Sequence, residues 1–186
     1  TTADQFQQVN HTANQQLRNF VRKEVLDALE DRGTILDLYS GSGNLSLPLA
    51  KVGKFSIRCV EQEKKAIQVG RLNKSKNQLS GIEFIEADSG KYLRQFTERQ
   101  ETADLLLIDP PRAGIGNLLN SVLVSGIEYL IYVSCNPTTL ARDLGMLKTK
   151  YEVRKVHCFD FFPDTYHIET VTVLKLRRSL PEDVQS

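Results

Sequence analysis

The feature of the sequence that most constrains its fold is a regular alternation of short apolar runs with helix-compatible segments. The runs share strand length and occur in the order Thr34–Tyr39, Phe55–Val60, Ile82–Ala87, Ala103–Ile108 and Tyr129–Ser134. Each of the first four leads into a segment that suits a helix, which is the pattern of βαβ units. The sequence therefore predicts an α/β fold with a doubly wound, mostly parallel sheet and right-handed crossovers.

A helix is predicted ahead of the first run. Apolar residues recur there at helical spacing, at Leu17, Val21, Val25, Leu26 and Leu29. We expect this helix to span Asn14 to Glu30 and to end before Gly33, so that residues 1–33 form an N-terminal helical segment. A chain of 186 residues with 40% hydrophobic content is long enough for one core and too short for two ordinary domains, so residues 34–177 are predicted to form a single core.

Two more strands are predicted near the carboxyl end, which brings the sheet to seven. They follow a helix near Pro137–Thr149 and correspond to Glu152–Phe159 and Ile168–Leu176. Because they are close in sequence, we expect them to pair antiparallel at one edge of the sheet. Residues 178–186 are predicted to form a polar tail.

A glycine-rich turn follows the first strand, with Gly41 and Gly43 where the backbone could approach a ligand closely. A dinucleotide-binding turn would have a third glycine where Ser46 stands. The acidic residues Asp37, Glu61 and Asp88 lie at or near the ends of three successive strands, and Glu61 could accept hydrogen bonds from ribose hydroxyls. Taken alone, Asp37 could cap a helix and Glu61 could be a solvated charge. Together they favour S-adenosylmethionine over NAD or ATP.

Several motifs occur in a fixed order along nearly the whole chain. They are Phe6-x-Gln8-x-Asn10, Asp37-Leu38-Tyr39-Ser40-Gly41-Ser42-Gly43, Asp109-Pro110-Pro111-Arg112-Ala113-Gly114, Ser134-Cys135-Asn136-Pro137 and Phe162-Pro163-x-Thr165-x-His167-x-Glu169. In this order they resemble the RNA uridine-5-methyltransferase family, whose members act on tRNA or 23S rRNA. The resemblance implies a class I S-adenosylmethionine-dependent methyltransferase (Rossmann-like) fold.

The resemblance also implies site residues. The cofactor would be surrounded by Phe6, Gln8, Tyr39, Glu61 and Asp109, and we add Asp88. The chain departs from the family at two positions. Ser40 stands where a cysteine is common, and Asp164 replaces the usual histidine, which puts local substrate contacts in doubt.

The implied chemistry needs a nucleophile, because carbon 5 of uracil is too weakly nucleophilic to accept a methyl group unaided. A thiolate that adds to carbon 6 would create an enolate. Cys135 is the candidate, since it follows the fifth strand and precedes Pro137, where the amino end of a helix favours an anion. Cys59 and Cys158 lie within apolar strand patterns and are interpreted as buried packing residues, a role that also remains the alternative for Cys135.

After methyl transfer a base must remove the proton of carbon 5, and Glu169 is the candidate. Without the family resemblance a glutamate at a strand start would be interpreted as a solvated charge. Arg112 could stabilise the enolate or hold a phosphate, and the alternative is a surface residue after a turn. Asn136 and His167 are further candidate contacts for the substrate, which must be an unpaired or flipped-out uridine.

Composition limits the remaining possibilities. The three cysteines lack the spacings of a metal site or a disulfide framework, so we expect free thiols and no metal. No apolar run is long enough to cross a membrane, and we expect a cytoplasmic monomer. The net charge of +1 provides no general attraction for RNA. Because family members carry an additional N-terminal RNA-binding domain, we expect this chain alone to bind cofactor and to modify RNA poorly.

Two other functions remain open at this point. Asp109-Pro110-Pro111 also resembles the motif with which amino-group methyltransferases position an exocyclic nitrogen. Those enzymes need no cysteine, and an aromatic residue would be expected in place of Arg112. The other possibility is a cofactor-binding or RNA-binding module that is inactive in isolation.

Overall fold

The computed structural model describes the backbone of residues 3–160 and 168–177 and the side chains of residues 12–160 and 168–177. Helices and strands alternate along the described chain as the pattern predicts. The elements are α1 Ala3–Leu29, β1 Arg32–Leu38, α2 Ser46–Val52, β2 Lys54–Glu61, α3 Lys64–Lys76, β3 Ile82–Glu86, α4 Ser89–Glu98, β4 Leu105–Ile108, α5 Leu119–Ser125, β5 Tyr129–Ser134, α6 Pro137–Leu147, β6 Tyr151–Asp160 and β7 Ile168–Leu176.

These strands form one seven-stranded sheet in the order β3-β2-β1-β4-β5-β7-β6. The first five strands are parallel, whereas β7 is antiparallel to both β5 and β6. The strand order reverses direction between β1 and β4, which is where open sheets of this kind bind their ligands. The predicted doubly wound sheet with an antiparallel edge pair is therefore confirmed.

Helices cover both faces of the sheet. On one face α1, α2 and α3 pack against alternate residues such as Ile35, Leu105 and Val171. On the other face α4, α5 and α6 pack against the intervening residues, including Leu36 and Leu106. Because β4 is fully buried and made only of leucine and isoleucine, its uninterrupted apolar run reflects cover on both faces.

Helix α1 starts earlier than its apolar spacing predicts, at Ala3 rather than near Asn14. Residues 3–13 contain no proline or glycine, so nothing in the chain interrupts the helix. Its carboxyl end contacts Gly33 through Leu29, at the amino edge of the sheet. The amino end of α1 therefore points toward the opposite edge, where the parallel strands terminate.

The three cysteines lie in different environments. Cys59 is fully buried between the sheet and its helices, and burial raises the pKa of its thiol well above the usual range. The packing role predicted for Cys59 fits this position. The prediction that Cys158 is buried is wrong, because Cys158 is exposed on β6, the outermost strand of the sheet. Among the helices that the structure describes, none has the length and apolar character needed to span a bilayer.

Candidate active site

The glycine-rich turn after β1 has a backbone that few residue types can adopt. Tyr39, Gly41 and Gly43 all have positive φ values, of 58°, 55° and 83°. Glu61 at the end of β2 holds this turn, because its two carboxylate oxygens accept the backbone N–H groups of Gly41 at 3.1 Å and Glu63 at 2.8 Å. A carboxylate has about four acceptor positions, so Glu61 retains capacity for further donors such as ribose hydroxyls.

The two glycines differ in what surrounds them. A Cβ atom at Gly43 would lie 2.8 Å from the ring of Phe84, whereas one at Gly41 would meet no heavy atom within 4 Å. Gly43 is thus packed against the core, and Gly41 borders open space at the carboxyl edge of the sheet. The turn therefore leaves room for a ligand beside Gly41.

This difference predicts unequal effects of alanine substitution. Gly41→Ala should lower the free energy of unfolding by about 1–2 kcal/mol, the cost of a left-handed backbone for an L-residue. Gly43→Ala adds overpacking against Phe84 and should cost about 2–4 kcal/mol. Urea unfolding of both variants checks this ranking, and equal stability of the two would contradict it.

Asp37 lies beneath the same turn and is 1% exposed. One carboxylate oxygen accepts a hydrogen bond from the Ser46 hydroxyl at the start of α2, and the other has no partner among the described residues. Burial raises the pKa of Asp37 to about 7, opposed by the Ser46 hydrogen bond and assisted by the nearby charges of Asp109 and Glu61. A role for Asp37 toward the cofactor remains a prediction.

The raised pKa of Asp37 predicts a pH-dependent stability. An acid whose pKa is higher in the folded state than in the unfolded state stabilises the fold below its unfolded pKa of about 3.9. That contribution is lost as the pH rises through about 7. We expect Asp37→Asn to reduce this loss between pH 5 and pH 8. Chemical denaturation of the wild type and of Asp37→Asn at both pH values measures the free energy of unfolding. The same change with pH in the two proteins would contradict the prediction.

The end of β3 and the start of α4 add further polar groups beside Tyr39. Asp88 caps α4 by accepting the backbone N–H of Lys91 at 2.8 Å, and the Ser89 hydroxyl accepts the backbone N–H of Tyr39 at 3.0 Å. Burial and the charge of Asp88 raise the pKa of Tyr39, while a hydrogen bond with Asn117 opposes the shift. Sequence reasoning did not identify Ser89 or Asn117, because neither belongs to the motifs.

Two amide side chains form hydrogen bonds between α1 and the glycine-rich turn. Asn44 donates to Asn14 at 3.0 Å, and Asn14 donates to Asn44 at 3.4 Å. The backbone of residues 3–13 therefore extends beyond this contact, past the carboxyl edge of the sheet. The side chains of Phe6 and Gln8 lie outside the described residues, and their predicted contacts with the cofactor remain predictions.

Two carboxyl groups lie at the carboxyl edge of the sheet, Asp109 directly after β4 and Glu169 near the start of β7. Asp109 is exposed to solvent as a residue, yet the protein around its carboxyl group desolvates that group and, together with the charge of Glu169, raises its pKa to about 7. Burial also raises the pKa of Glu169, and the positive charge of Arg112 opposes that shift. Glu169 is therefore within electrostatic reach of both Asp109 and Arg112, although it is distant from them in sequence.

Cys135 lies beside this group and is partly buried. Ser134, the last residue of β5, pairs with Thr170 of β7. Because these two strands are antiparallel, Cys135, which follows Ser134, and Glu169, which precedes Thr170, lie at the same edge of the sheet. Asn136 caps α6 by accepting the backbone N–H of Thr138 at 3.0 Å. Pro137 occupies the first turn of α6, as predicted, so the thiol lies immediately ahead of the amino end of a helix.

Asn136 also joins the loop that carries Arg112. The backbone carbonyl of Arg112 accepts hydrogen bonds from the Asn136 amide at 3.4 Å and the Thr139 hydroxyl at 3.1 Å. This contact gives Asn136 a structural task, and its predicted substrate contact stays a prediction. His167 lies outside the described residues, as does Asp164. Within residues 12–160 and 168–177, no group of three or more His, Cys, Asp or Glu side chains could hold a metal ion.

Solved structures show the fold. A methyltransferase from Pyrococcus abyssi, described as a tRNA (uracil-54, C5)-methyltransferase in complex with S-adenosyl-L-homocysteine, is 35% identical, with a TM-score of 0.68 over 84% of this chain and 37% of its own. An S-adenosylmethionine-dependent methyltransferase from Agrobacterium tumefaciens is 17% identical, with a TM-score of 0.69 over 89% of this chain and 62% of its own. The sheet is that of the class I S-adenosylmethionine-dependent methyltransferases.

Relatives among curated proteins are RNA methyltransferases. An uncharacterized RNA methyltransferase from Protochlamydia amoebophila is 41% identical over 76% of this chain and 33% of its own length. A 23S rRNA (uracil(1939)-C(5))-methyltransferase from Acinetobacter baumannii is 37% identical over 91% of this chain and 37% of its own length. The chain thus spans about a third of the length of these relatives.

The family model described as tRNA (uracil-5-)-methyltransferase matches residues 1–177. That range includes the glycine-rich turn, the Asp109–Gly114 loop, Cys135 and Glu169. The chain belongs to the tRNA (uracil-5-)-methyltransferase family.

Proposed function

We propose that this chain is the catalytic domain of an enzyme that methylates carbon 5 of a uridine in RNA, with S-adenosylmethionine as the methyl donor. The observation that carries the proposal is the position of Cys135 beside Glu169, immediately beyond the Ser134–Thr170 pair at the carboxyl edge of the sheet. A nucleophile and a base on neighbouring strands are the two groups that this reaction needs. Family membership supports the same assignment.

The residues around the glycine-rich turn fit the proposed cofactor. Gly41 borders open space, Glu61 has acceptor capacity left for ribose hydroxyls, and Asp37 has a buried oxygen without a partner among the described residues. Acidic groups suit a ligand with a positive sulfonium and an amino group. Tyr39 and Asp88 would line the same region, and Asp109 would lie between the cofactor and the uracil ring of the substrate. S-adenosylmethionine, when bound, supplies an electrophilic methyl group.

Cys135 would begin the reaction on the uridine. Its thiolate forms an Sγ–C6 bond, and the electron pair of the C5–C6 double bond moves to the carbonyl oxygen at carbon 4 as an enolate. Carbon 5 thereby becomes nucleophilic enough to take the methyl group, and S-adenosylhomocysteine would be the leaving group. Because Cys135 precedes the amino end of α6, the helix dipole favours the anionic nucleophile.

Glu169 would complete the reaction as a base. It removes the proton from carbon 5, the C5–C6 double bond re-forms, and the Sγ–C6 bond breaks to release Cys135. Partial desolvation raises the pKa of Glu169, which makes its carboxylate a better proton acceptor than a solvated one. Arg112 keeps a positive charge near that carboxylate and near the enolate that develops beside it.

The proposal is tested by separating cofactor binding from methyl transfer. Calorimetry with S-adenosylmethionine measures binding, and Glu61→Gln is expected to weaken it by about 10- to 100-fold, because a hydrogen bond from a hydroxyl to a charged group contributes about 1.5–3 kcal/mol. Transfer of a tritiated methyl group to RNA, followed by nucleoside analysis, identifies the product. We expect 5-methyluridine, whereas a methylated exocyclic amine would support amino-group methylation instead.

The near-zero charge of the chain has a consequence for this assay. Neutralisation of phosphates provides much of the affinity for RNA, and a net charge of +1 offers little of it. We therefore propose that the 186-residue chain binds cofactor but turns over RNA slowly, and that RNA binding depends on a further domain. Full turnover by the 186-residue chain alone would contradict this part of the proposal.

A further inference from the structure

A buried carboxylate in α6 binds the loop that carries Arg112. Asp143 is completely buried, and one of its oxygens accepts the backbone N–H of Ile115 at 2.9 Å and the hydroxyl of Tyr132 at 2.7 Å. Its other oxygen accepts two hydrogen bonds from the Arg142 guanidinium, at 3.0 and 2.8 Å. Asp143 thus connects β5, α6 and the loop after β4.

Arg142 and Gly114 complete this connection. The Arg142 guanidinium also donates to the backbone carbonyl of Ala113 at 2.8 Å. Gly114 has a φ of 79°, and a Cβ atom there would lie 2.2 Å from an Asp143 oxygen. The loop therefore approaches Asp143 more closely than any residue other than glycine would permit. On its other side the Arg112 carbonyl is bound by Asn136 and Thr139 of the α6 amino end.

We propose that Asp143 is a positioning residue, which fixes residues 112–115 against α6 and so holds the Arg112 guanidinium near Glu169. A carboxylate is needed because the four groups that contact it are all hydrogen-bond donors. An asparagine would have to turn its NH₂ group toward donors on one side. The inference that this arrangement serves catalysis rests on the proposed function, but the positioning itself does not.

A measurement on Glu169 distinguishes positioning from direct electrostatics. Removal of the negative charge in Asp143→Asn would, through its direct field, lower the pKa of Glu169. Displacement of Arg112 would instead raise that pKa, because Arg112 holds it down. We therefore expect the pKa of Glu169 to rise in Asp143→Asn, in the direction of its value in Arg112→Ala. The titration uses ¹³C-carboxyl-labelled glutamate and NMR, with the Glu169 signal assigned from its loss in Glu169→Gln.

Arg142→Lys is the second variant, because a lysine keeps the positive charge and its direct field on Glu169 but cannot make the three hydrogen bonds of the guanidinium to Asp143 and Ala113. It should also raise the pKa of Glu169. Asp104→Asn is the matched control, since Asp104 accepts the backbone N–H and the hydroxyl of Thr34 at the opposite edge of the sheet. That control should leave Glu169 unchanged. If Asp143→Asn does not fold, Arg142→Lys decides the question, because its charge is that of the wild type.

An unchanged or lowered pKa of Glu169 in the folded variants would overturn the proposal. Because the titration needs neither RNA nor turnover, its result stands even if the wild-type protein proves unable to methylate uridine. In the active enzyme we expect Asp143→Asn to lower kcat by about 10²-fold, the scale of a catalytic group misplaced by about 1 Å. The Kd for S-adenosylhomocysteine should stay within about twofold, since the hydrogen bonds between Glu61 and the glycine-rich turn are untouched. A loss confined to cofactor affinity would count against positioning.

Discussion

Cys135→Ala should abolish both the covalent enzyme–RNA adduct and turnover. Incubation of the wild type with S-adenosylmethionine and RNA containing 5-fluorouridine should increase its intact mass by one RNA and one methyl group, because fluorine at carbon 5 cannot leave as a proton and the Sγ–C6 bond persists. Without the thiol no such bond can form. Turnover on ordinary RNA should fall by at least about 10⁴-fold, the scale seen when a covalent nucleophile is removed.

Cys158→Ala is the matched control, because Cys158 is an exposed thiol on β6 and has no role in the proposed reaction. It should form the adduct as the wild type does. S-adenosylhomocysteine binding should be unchanged in both variants, which would show that the site is intact. A mass increase in Cys135→Ala would reject the thiol as the nucleophile, and amino-group methylation would account for an active enzyme without any adduct.

Glu169→Gln should stop the reaction one step later. Cys135 can still add to carbon 6 and carbon 5 can still take the methyl group, but no base removes the remaining proton. The methylated adduct should therefore accumulate on ordinary uridine RNA, where the wild type leaves none. We expect turnover to fall by about 10²–10⁴-fold, the usual contribution of a general base. Denaturing gel electrophoresis and intact mass measure the trapped species.

Glu128→Gln provides the control for Glu169→Gln. Glu128 forms an ion pair with Lys175 at the opposite edge of the sheet, so its loss should leave turnover unchanged. Rapid release of the methylated RNA by Glu169→Gln would assign the base to another residue. Asp109 is the next candidate, since burial and the charge of Glu169 raise the pKa of its own carboxyl group to about 7.

The pH dependence of turnover should reflect the ionised base. Glu169 works as a carboxylate, and its raised pKa means that the active form is lost at a higher pH than for a solvated glutamate. The acidic limb of the kcat profile should therefore lie above about pH 4.3. Arg112→Ala should move this limb to still higher pH, because the charge that favours the ionised form is removed. An acidic limb that stays at the same pH in Arg112→Ala would show that Arg112 does not affect the pKa of Glu169.

The sequence was sufficient for the architecture because burial leaves periodic signals. Uninterrupted apolar runs such as Leu105–Ile108 marked strands covered on both faces, and all seven strands were located. The amino end of α1 was missed, since Ala3–Thr12 is mostly polar and its two large apolar residues, Phe6 and Val9, were not included in the helical pattern. Cys158 was misassigned to the core because the strand pattern of β6 does not reveal that this strand is outermost.

The motifs also identified the candidate chemistry, since Cys135, Asp109, Arg112 and Glu169 are all named by short sequence patterns. Only the tertiary structure showed that β7 inserts beside β5, which brings Glu169 to the end of the strand that precedes Cys135. The hydrogen bonds that Asp143 accepts from Ile115 in the loop after β4 and from Tyr132 of β5 could not be predicted, because a buried aspartate is recognised by its partners and not by its neighbours in sequence. Local patterns determine which strands and helices form and which reactive groups they carry. The distances and shared burial that let those groups act on one another depend on strand order, which arises from packing across the whole sheet.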